Sequence, residues 1–484
     1  MIKNVQLKTS YPTRLLSTIA LAAYFSIALG ACSFQKYAAK PIEPATNAAK
    51  FELKDPSGKP FTEYLLNNGY AVDHLPIQQW GLDELTYCAL FFHPSLDVER
   101  AQWRAAQSSE SRAAQRANPS LNANVAHSDD PDPTKKPFAF GLSIDIPIET
   151  ANKRDIRIEN AQHLSQAAKL EIAQTAWQLR HNIAQTLTEF AFNQTQLRLL
   201  SEEELRREEI VNMYQKRVSA GAASNIELSN AKLQLQTVSA NVNSAQQNKL
   251  ILLSKFASNI GLPLAKIEAM SLAIDRKQPL DNIPNANLQT TALLNRLDIR
   301  IALERYAMAE AKLKLEIAGQ YPDIVISPGV AYEFGDNIWS LGLSGLLSLL
   351  NKNKVAIAEA TMLREVEAAQ FEALQTKVIL EANIANAEVN QAKQALEHQQ
   401  RLLIQQKSNT QRMQRKLAAG DIDRLEMTYA KLEDINAEQN VAIANFQLSK
   451  SLDQLENTLQ IPLLDVDATG SNIVKAKIKL EGEK

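Results

Sequence analysis

The sequence predicts a mainly α-helical protein built from two copies of one unit, each with a long helical hairpin and two β-strands. Two long helical runs, from about Asn152 to Pro263 and from about Asn353 to Pro462, each reverse direction at a glycine. The residues around the two reversals recur in the same order, and strand-like alternation precedes each run. Aromatic residues make up only 6% of the 484-residue chain, which favours a helix-dominated fold.

The helices are predicted from an apolar seam whose residues are separated by alternating steps of three and four positions. This spacing is typical of coiled coils, including solvated structural ones, so the seam alone leaves both interpretations open. A continuous helix from Lys153 to Ala220 would be about 100 Å long at about 1.5 Å per residue. The seam comprises Ile172, Ala176, Leu179, Ile183, Phe190, Leu197 and Leu200 in the first run, and Val378, Ala382, Ala385, Val389, Ala392, Leu396 and Leu403 in the second.

The two hairpin turns carry the same pattern at a constant spacing. The first turn lies at Gly221 and the second at Gly420, and glycine suits a tight reversal because it adopts the left-handed conformation without strain. Ser224 and Asp423 follow the turns as predicted N-caps of the returning helices. A repeat of this kind indicates that both halves share one fold.

Four shorter segments alternate apolar with small or polar residues, within about residues 119–148 and 322–348. This alternation is typical of membrane β-strands with one side towards lipid and one towards a lumen, and equally of half-buried strands in a soluble sheet. Four strands cannot close a barrel, and open edges are not tolerated in lipid. If the strands span a membrane, several chains must contribute, and three chains with four strands each give twelve.

The N-terminus has the features of a secretory signal, because basic residues precede an apolar run over residues 15–29. The Leu-Gly-Ala-Cys sequence that ends at Cys32 resembles a bacterial lipobox. It predicts cleavage between Ala31 and Cys32 and a covalent lipid such as palmitate on Cys32, with no other cofactor. Ser33 then predicts export to the outer membrane. An ordinary signal peptide with an incidental cysteine is the alternative.

The order of these features resembles the TolC-like outer membrane factor family over about Trp80 to Pro462. The sequence Asn-Arg-Leu-Asp-Ile from Asn295 is similar to the family's entry to the second repeat, with Leu297 in place of the usual proline. Both turns resemble the family's tip motif, although Ala-Lys stands where the family has Ala-Gln or Ala-Glu. The resemblance implies a homotrimer with a twelve-strand barrel in the outer membrane of a Gram-negative bacterium and a twelve-helix tunnel across the periplasm.

The resemblance also implies roles for residues near the turns. Gly221, Gly420, Ser224 and Asp423 would lie at periplasmic tips that contact an adaptor protein. Glu426 is the first candidate for an acidic ring at the narrow end, and the other candidates are Asp421, Asp423 and Glu227. Tyr429 stands where some relatives have a further acid, and Arg424 and Lys416 are candidates to pair with acids across the tip. The alternative is that the glutamates are ordinary solvated residues.

The function that the resemblance implies is a passive duct of a tripartite efflux system. Its partners would be a periplasmic adaptor, an inner-membrane transporter and outer membrane lipid. A duct for type I protein secretion and a lipid-tethered periplasmic scaffold without channel activity are the alternatives; the lipobox favours small-molecule efflux by analogy only. The six histidines are scattered, and no catalytic or metal-binding motif is present, so neither an enzyme nor a metal site is expected. A net charge of −2 gives no support to nucleic-acid binding.

These features divide the chain into six segments. They are a signal peptide (1–31), a lipid-anchored linker or equatorial segment (32–79), the first repeat (80–263), an inter-repeat linker (264–290), the second repeat (291–462) and a C-terminal tail (463–484).

Overall fold

The computed structural model describes residues 35–129, 136–274, 288–333, 335–345 and 352–463. The signal peptide, Ala31, Cys32 and nearly all of the C-terminal tail lie outside these residues, so the expectations for them remain predictions. The chain divides into two compact units, residues 1–53 and 54–484. The first unit contains helix α1 (Pro44–Glu52), and all further elements belong to the second.

Both predicted hairpins and all four predicted strands are confirmed. The first helices of the hairpins contain 67 and 66 residues, which corresponds to about 100 Å each. The first repeat consists of α3 (Leu82–Phe92), α4 (Pro94–Ala114), β1 (Ser120–His127), β2 (Phe138–Ile148), α5 (Lys153–Ser219) and α6 (Asn225–Ile260). After α7 (Leu264–Glu268), the second repeat consists of α8 (Leu288–Asn295), α9 (Leu297–Ala318), β3 (Ile324–Glu333), β4 (Asp336–Gly345), α10 (Lys354–Ala419) and α11 (Arg424–Leu459).

The segment that the sequence presents as a linker contains more regular structure than its composition indicates. Besides α1, it contains helix α2 (Lys59–Asn67), and both helices have a proline in their first turn, where proline is tolerated well. Phe61 and Leu65 of α2 are buried in the core of the second unit. Helices of nine residues are too short to show a clear apolar period, which is why the sequence did not reveal them.

The four strands form one antiparallel sheet in the order β1-β2-β3-β4. The central pair, β2 with β3, joins the two repeats, and Ile148 lies opposite Ile324 in its register. The connections within each strand hairpin lie at one end of the sheet. At the other end β1 and β3 each follow a helix and β2 precedes one, so the sheet extends from one end of the helical region.

Several apolar clusters hold the helices together, and they bury most of the predicted seam. The largest joins α2, α3, α5 and α6, and it includes Cys88, which is fully buried as its apolar neighbours predict. A second cluster lies between α10 and α11, where Val378, Ala382, Ala385 and Val389 are buried. A third cluster near the turns combines residues of both hairpins, such as Ile210 and Leu432. The two hairpins therefore pack against each other close to their turns.

A buried polar network joins α5 of the first repeat to α11 of the second. Arg180 forms an ion pair with Glu456, and both side chains are less than 5% exposed. The Thr188 hydroxyl donates a hydrogen bond of 2.6 Å to the buried carboxylate of Asp453. Glu456 also accepts a hydrogen bond of 2.9 Å from the backbone N–H of Leu463. The two repeats are thus fixed to each other well away from the turns.

Within the described residues, no helix combines the length and the apolar character that crossing a membrane requires.

Candidate functional site

The first turn is closed by a capping box. Gly221 has φ = 72°, in the left-handed region, and Ser224 begins α6 as its N-cap. The Glu227 N–H donates to Ser224 Oγ at 3.2 Å, and the Ser224 N–H donates to Glu227 Oε2 at 2.7 Å. These hydrogen bonds satisfy backbone groups that a helix start leaves unpaired. They lower the pKa of Glu227, mainly through the Ser224 N–H.

The second turn repeats this arrangement with an aspartate as the N-cap. Gly420 has φ = 84°, the Glu426 N–H donates to Asp423 Oδ1 at 2.9 Å, and the Asp423 N–H donates to Glu426 Oε2 at 3.1 Å. The N-caps predicted at Ser224 and Asp423 are therefore confirmed. The pKa of Asp423 is lowered, first by the Glu426 N–H and then by the guanidinium of Arg217.

The aperture candidates are in different situations. Glu227 and Glu426 both use a carboxylate oxygen to cap a helix, so each has a structural role in its own turn. Asp421 is exposed, and its side chain makes no hydrogen bond or ion pair with the residues that the structure describes. A role of these acids in lining an aperture stays a prediction.

The two turns are joined by an ion pair between Arg217 and Asp423, which the sequence analysis did not identify. The side chains are 38% and 48% exposed, and the carboxylate raises the pKa of Arg217. The sequence instead suggested Arg424 and Lys416 as partners for acids across the tip, and within the described residues neither forms such a pair. The sequence did contain a signal for Arg217: it lies four positions before Gly221, and Lys416 lies four positions before Gly420.

Tyr429 lies on α11, six positions after Asp423, where the family resemblance implies a further acid. It shares a hydrogen bond with Tyr214 of the first hairpin, and burial followed by this bond raises its pKa to about 12. The phenol is therefore neutral at physiological pH and adds a second contact between the hairpins.

The strand register places apolar side chains on one face of the sheet. Residues directly opposite each other in neighbouring strands share a face, so each row of partners can be followed across the sheet. One such row is Ala123, Leu142, Val330 and Trp339. Further members of this apolar face are Leu121, Val125, Phe140, Ile144, Ile146, Ile148, Ile324, Ile326, Tyr332, Leu341 and Leu343.

The opposite face consists mostly of polar and small residues, with Pro147, Val325 and Ile338 as its larger apolar members. One of its rows is Asn122, Ser143, Gly329 and Ser340. On β2, the residues of the apolar face are exposed whereas those of the polar face are half-buried. A sheet with one apolar and one polar face fits a lipid surface on one side and water on the other.

The transitions from strand to helix have an unusual backbone in both repeats. Ala151 and Asn152 precede α5 with φ values of 54° and 57°, and Lys352 and Asn353 precede α10 with φ values of 52° and 50°. Non-glycine residues rarely adopt this left-handed conformation, and two in succession reverse the chain sharply. The equal geometry shows that the duplication extends to the junctions.

No group of three histidine, cysteine, aspartate or glutamate residues within the described ranges is arranged to hold a metal ion. The site is thus made of two capped turns at one end and an amphipathic sheet at the other.

Comparisons with known proteins agree with this architecture. Residues 85–261 match the family model described as outer membrane efflux protein. The cobalt-zinc-cadmium resistance protein CzcC of Cupriavidus metallidurans is 23% identical over 279 residues, which cover 56% of this chain and 63% of that protein. The chain thus spans less than two thirds of the length of this curated relative.

Solved structures share the fold at low sequence identity. The outer-membrane channel OprN has a TM-score of 0.65 at 19% identity, covering 78% of this chain and 89% of that chain. The outer membrane protein VceC of Vibrio cholerae has a TM-score of 0.65 at 16% identity, covering 79% and 96%. The Campylobacter jejuni CmeC outer membrane channel has a TM-score of 0.62 at 15% identity, covering 86% and 91%. The fold predicted from the sequence is the fold of these channels.

Proposed function

We propose that the chain is a member of the outer membrane efflux protein family, whose model matches residues 85–261, and that three copies of it form a passive duct of an efflux system. The sheets of the three copies close into a twelve-strand barrel in the outer membrane of a Gram-negative bacterium. The helical hairpins continue the duct into the periplasm. The chain conducts its cargo and carries out no chemistry of its own.

The observation that carries the proposal is the separation of apolar and polar side chains onto opposite faces of a sheet with two open edges. In the described sheet, β1 pairs with β2 and β4 pairs with β3, which leaves one outer edge of each. Unpaired backbone groups are not tolerated in the hydrocarbon region of a membrane. The sheet can enter a membrane only when copies pair edge to edge, and three copies supply an even number of strands in the range of known barrels.

Exposed apolar residues on α10 support an assembly of several copies. This helix is in contact mainly with α9 and α11, and much of its surface is open to solvent in the single chain. A run of exposed apolar side chains is typical of an interface rather than of a monomer's surface. We propose that a neighbouring copy covers them; they are Val355, Met362, Leu363, Val366, Leu380, Ile384, Leu402 and Ile404.

The proposal extends to partners, anchor and cargo. The tip turns at Gly221 and Gly420 meet a periplasmic adaptor, through which an inner-membrane transporter delivers cargo. A lipid on Cys32 anchors each copy to the outer membrane. The similarity to a protein named for cobalt, zinc and cadmium resistance supports efflux of small solutes over secretion of proteins.

Conductance measurements test the proposal. Purified full-length protein is added to a planar lipid bilayer, and the current is recorded under voltage. The proposal predicts discrete conductance steps of uniform size. Stable insertion without conductance would contradict it and would favour a lipid-tethered scaffold that has the same helices.

A further inference from the structure

We infer that the polar face of the sheet makes the membrane part of the duct favour cations over anions, and that Asp145 determines this preference most strongly. The inference rests on the proposed function, because the polar face lines a lumen only when the sheets of several copies close. It concerns the barrel end of the duct, whereas the acidic residues predicted from the sequence lie at the opposite, periplasmic tips.

The register places Asp145 on the polar face, in the inner part of the sheet. Asp145 lies opposite Ser120 of β1, and its neighbours Ile144 and Ile146 belong to the apolar face. The Asn122 side chain donates a hydrogen bond of 2.7 Å to Asp145 Oδ2. An amide can hold the carboxylate in place, but it does not neutralise the charge.

The charges of the polar face are all of one sign. Its strand positions contain three carboxylates, Asp145, Glu333 and Asp336, and neither lysine nor arginine. Lys136 lies just before β2, but its ammonium is over the Tyr332 ring, 5.6 Å from the ring centre, and Tyr332 belongs to the apolar face. The described sheet therefore presents an uncompensated negative potential to whatever passes along its polar face.

Asp145 differs in position from the other two carboxylates. Glu333 and Asp336 lie opposite each other at the β3–β4 connection, where bulk solvent screens them. Glu333 lies opposite Ala139 of β2. Asp145 is six residues further along β2, at a distance of about 20 Å from Ala139. Solutes in the lumen pass Asp145 within the membrane part, and three copies would place three such charges at one level.

Apart from Asp421, the tip acids are better compensated than Asp145. Asp423 is paired with Arg217, and Glu227 and Glu426 accept hydrogen bonds from helix N-termini, whose partial positive charge offsets theirs. Asp145 has no ion pair with any residue that the structure describes. A neutral substitution at Asp145 should therefore remove more of the cation preference than a similar substitution of a capping glutamate.

Reversal potentials in planar bilayers test the inference. With a potassium chloride gradient at low salt, where the screening length approaches about 30 Å at 0.01 M, wild-type protein should prefer potassium over chloride. Asp145→Asn keeps the size of the side chain, and we expect it to lower the permeability ratio by about two-fold, with a smaller effect at 1 M salt. Asp145→Glu should keep the wild-type ratio. Asp155→Asn, an exposed acid on α5 beyond the strands, is the matched control and should leave the ratio unchanged.

A second variant keeps the test decisive if Asp145→Asn does not assemble. In Asp145→Cys, a negatively charged methanethiosulfonate reagent should restore the cation preference and a positively charged one should reverse it. Cys88 is buried and does not compete for the reagent. The inference would be overturned if wild type and Asp145→Asn had the same potassium-to-chloride permeability ratio, or if Asp155→Asn altered this ratio equally. Either result would leave the proposed duct intact. Failure of wild type to conduct would overturn the proposed function itself.

Discussion

Arg217 of the first hairpin forms an ion pair with Asp423 of the second, so the two turns of the duplicated unit are joined at their ends. The pair links a basic residue before one turn to the N-cap of the helix after the other. Since Asp423 also caps α11, the ion pair connects the start of that helix to the end of α5. Any movement that separates the hairpins at this end must break this contact.

Replacing Arg217 by glutamine should loosen the ends of the hairpins without unfolding the protein. An exposed ion pair contributes about 0 to 1 kcal/mol, so the apparent Tm should change little. The channel should, however, show larger or more variable conductance in a planar bilayer. Arg424→Gln is the control, because Arg424 is exposed nearby but forms no ion pair in the described chain. Equal conductance of the two variants would show that the pair does not restrain the hairpins.

Acid should break the ion pair between Arg217 and Asp423 only at a pH below the ordinary pKa of aspartate. The folded-state pKa of Asp423 is lowered, so its stabilising effect is present above its unfolded-state pKa of about 3.9 and is lost as the pH falls through the lower folded-state value. Wild-type conductance should therefore stay constant from pH 7 to about pH 4 and rise at lower pH. Asp423→Asn should show the raised conductance already at pH 7. A wild-type transition near pH 6 would contradict this assignment.

Breaking the buried ion pair should destabilise the protein far more than breaking the exposed one. Arg180→Met leaves the carboxylate of Glu456 buried without its cation, and such a loss typically costs about 3 to 5 kcal/mol. We expect a clear fall in apparent Tm by circular dichroism in detergent. The double variant Arg180→Met with Glu456→Gln should recover most of the loss, because no buried charge remains at this pair.

The matched control for this prediction is the exposed pair of Lys255 and Glu189, whose side chains are 52% and 41% exposed. Lys255→Met should cost less than about 1 kcal/mol. If Arg180→Met and Lys255→Met lowered the Tm equally, the buried network would have no special role in joining the repeats.

Glycine at position 151 should stabilise the first strand-to-helix junction. Ala151 has φ = 54°, where a side chain is unfavourable and glycine is not. We expect Ala151→Gly to raise the free energy of unfolding by up to about 1 kcal/mol. This is a net value, because the relief of strain is partly offset by the greater conformational freedom of the unfolded chain. Ala139→Gly within β2 is the control and should lower it, since this position is an ordinary strand residue. A lower Tm for Ala151→Gly would contradict the strain at the junction.

The elements of the fold could be predicted from the sequence because each has a period or a repeat. The seam residues Ile183 and Val378 are fully buried, and the alternation from Phe138 to Ile148 matches β2 to the residue. These signals are local, and the duplication of the chain supplies each of them twice. The comparisons with known channels confirm the same fold.

The contacts between the repeats could not be predicted in this way. Arg180 and Glu456 stand among many charged residues of long helices, and nothing in their local sequence distinguishes a buried charge from a solvated one. Arg217 and Asp423 are 206 positions apart, and pairing at that distance depends on how the hairpins pack. The capping boxes were within reach, because Ser-x-x-Glu and Asp-x-x-Glu follow the two turns directly.

The mass of the protein in detergent tests the central claim most directly. Cys32→Ser removes the predicted lipid, so membrane attachment then depends on the rest of the chain. The account predicts that this variant still requires detergent for extraction from membranes and has the mass of a trimer by light scattering. A variant that is soluble in water as a monomer or dimer would contradict the shared barrel.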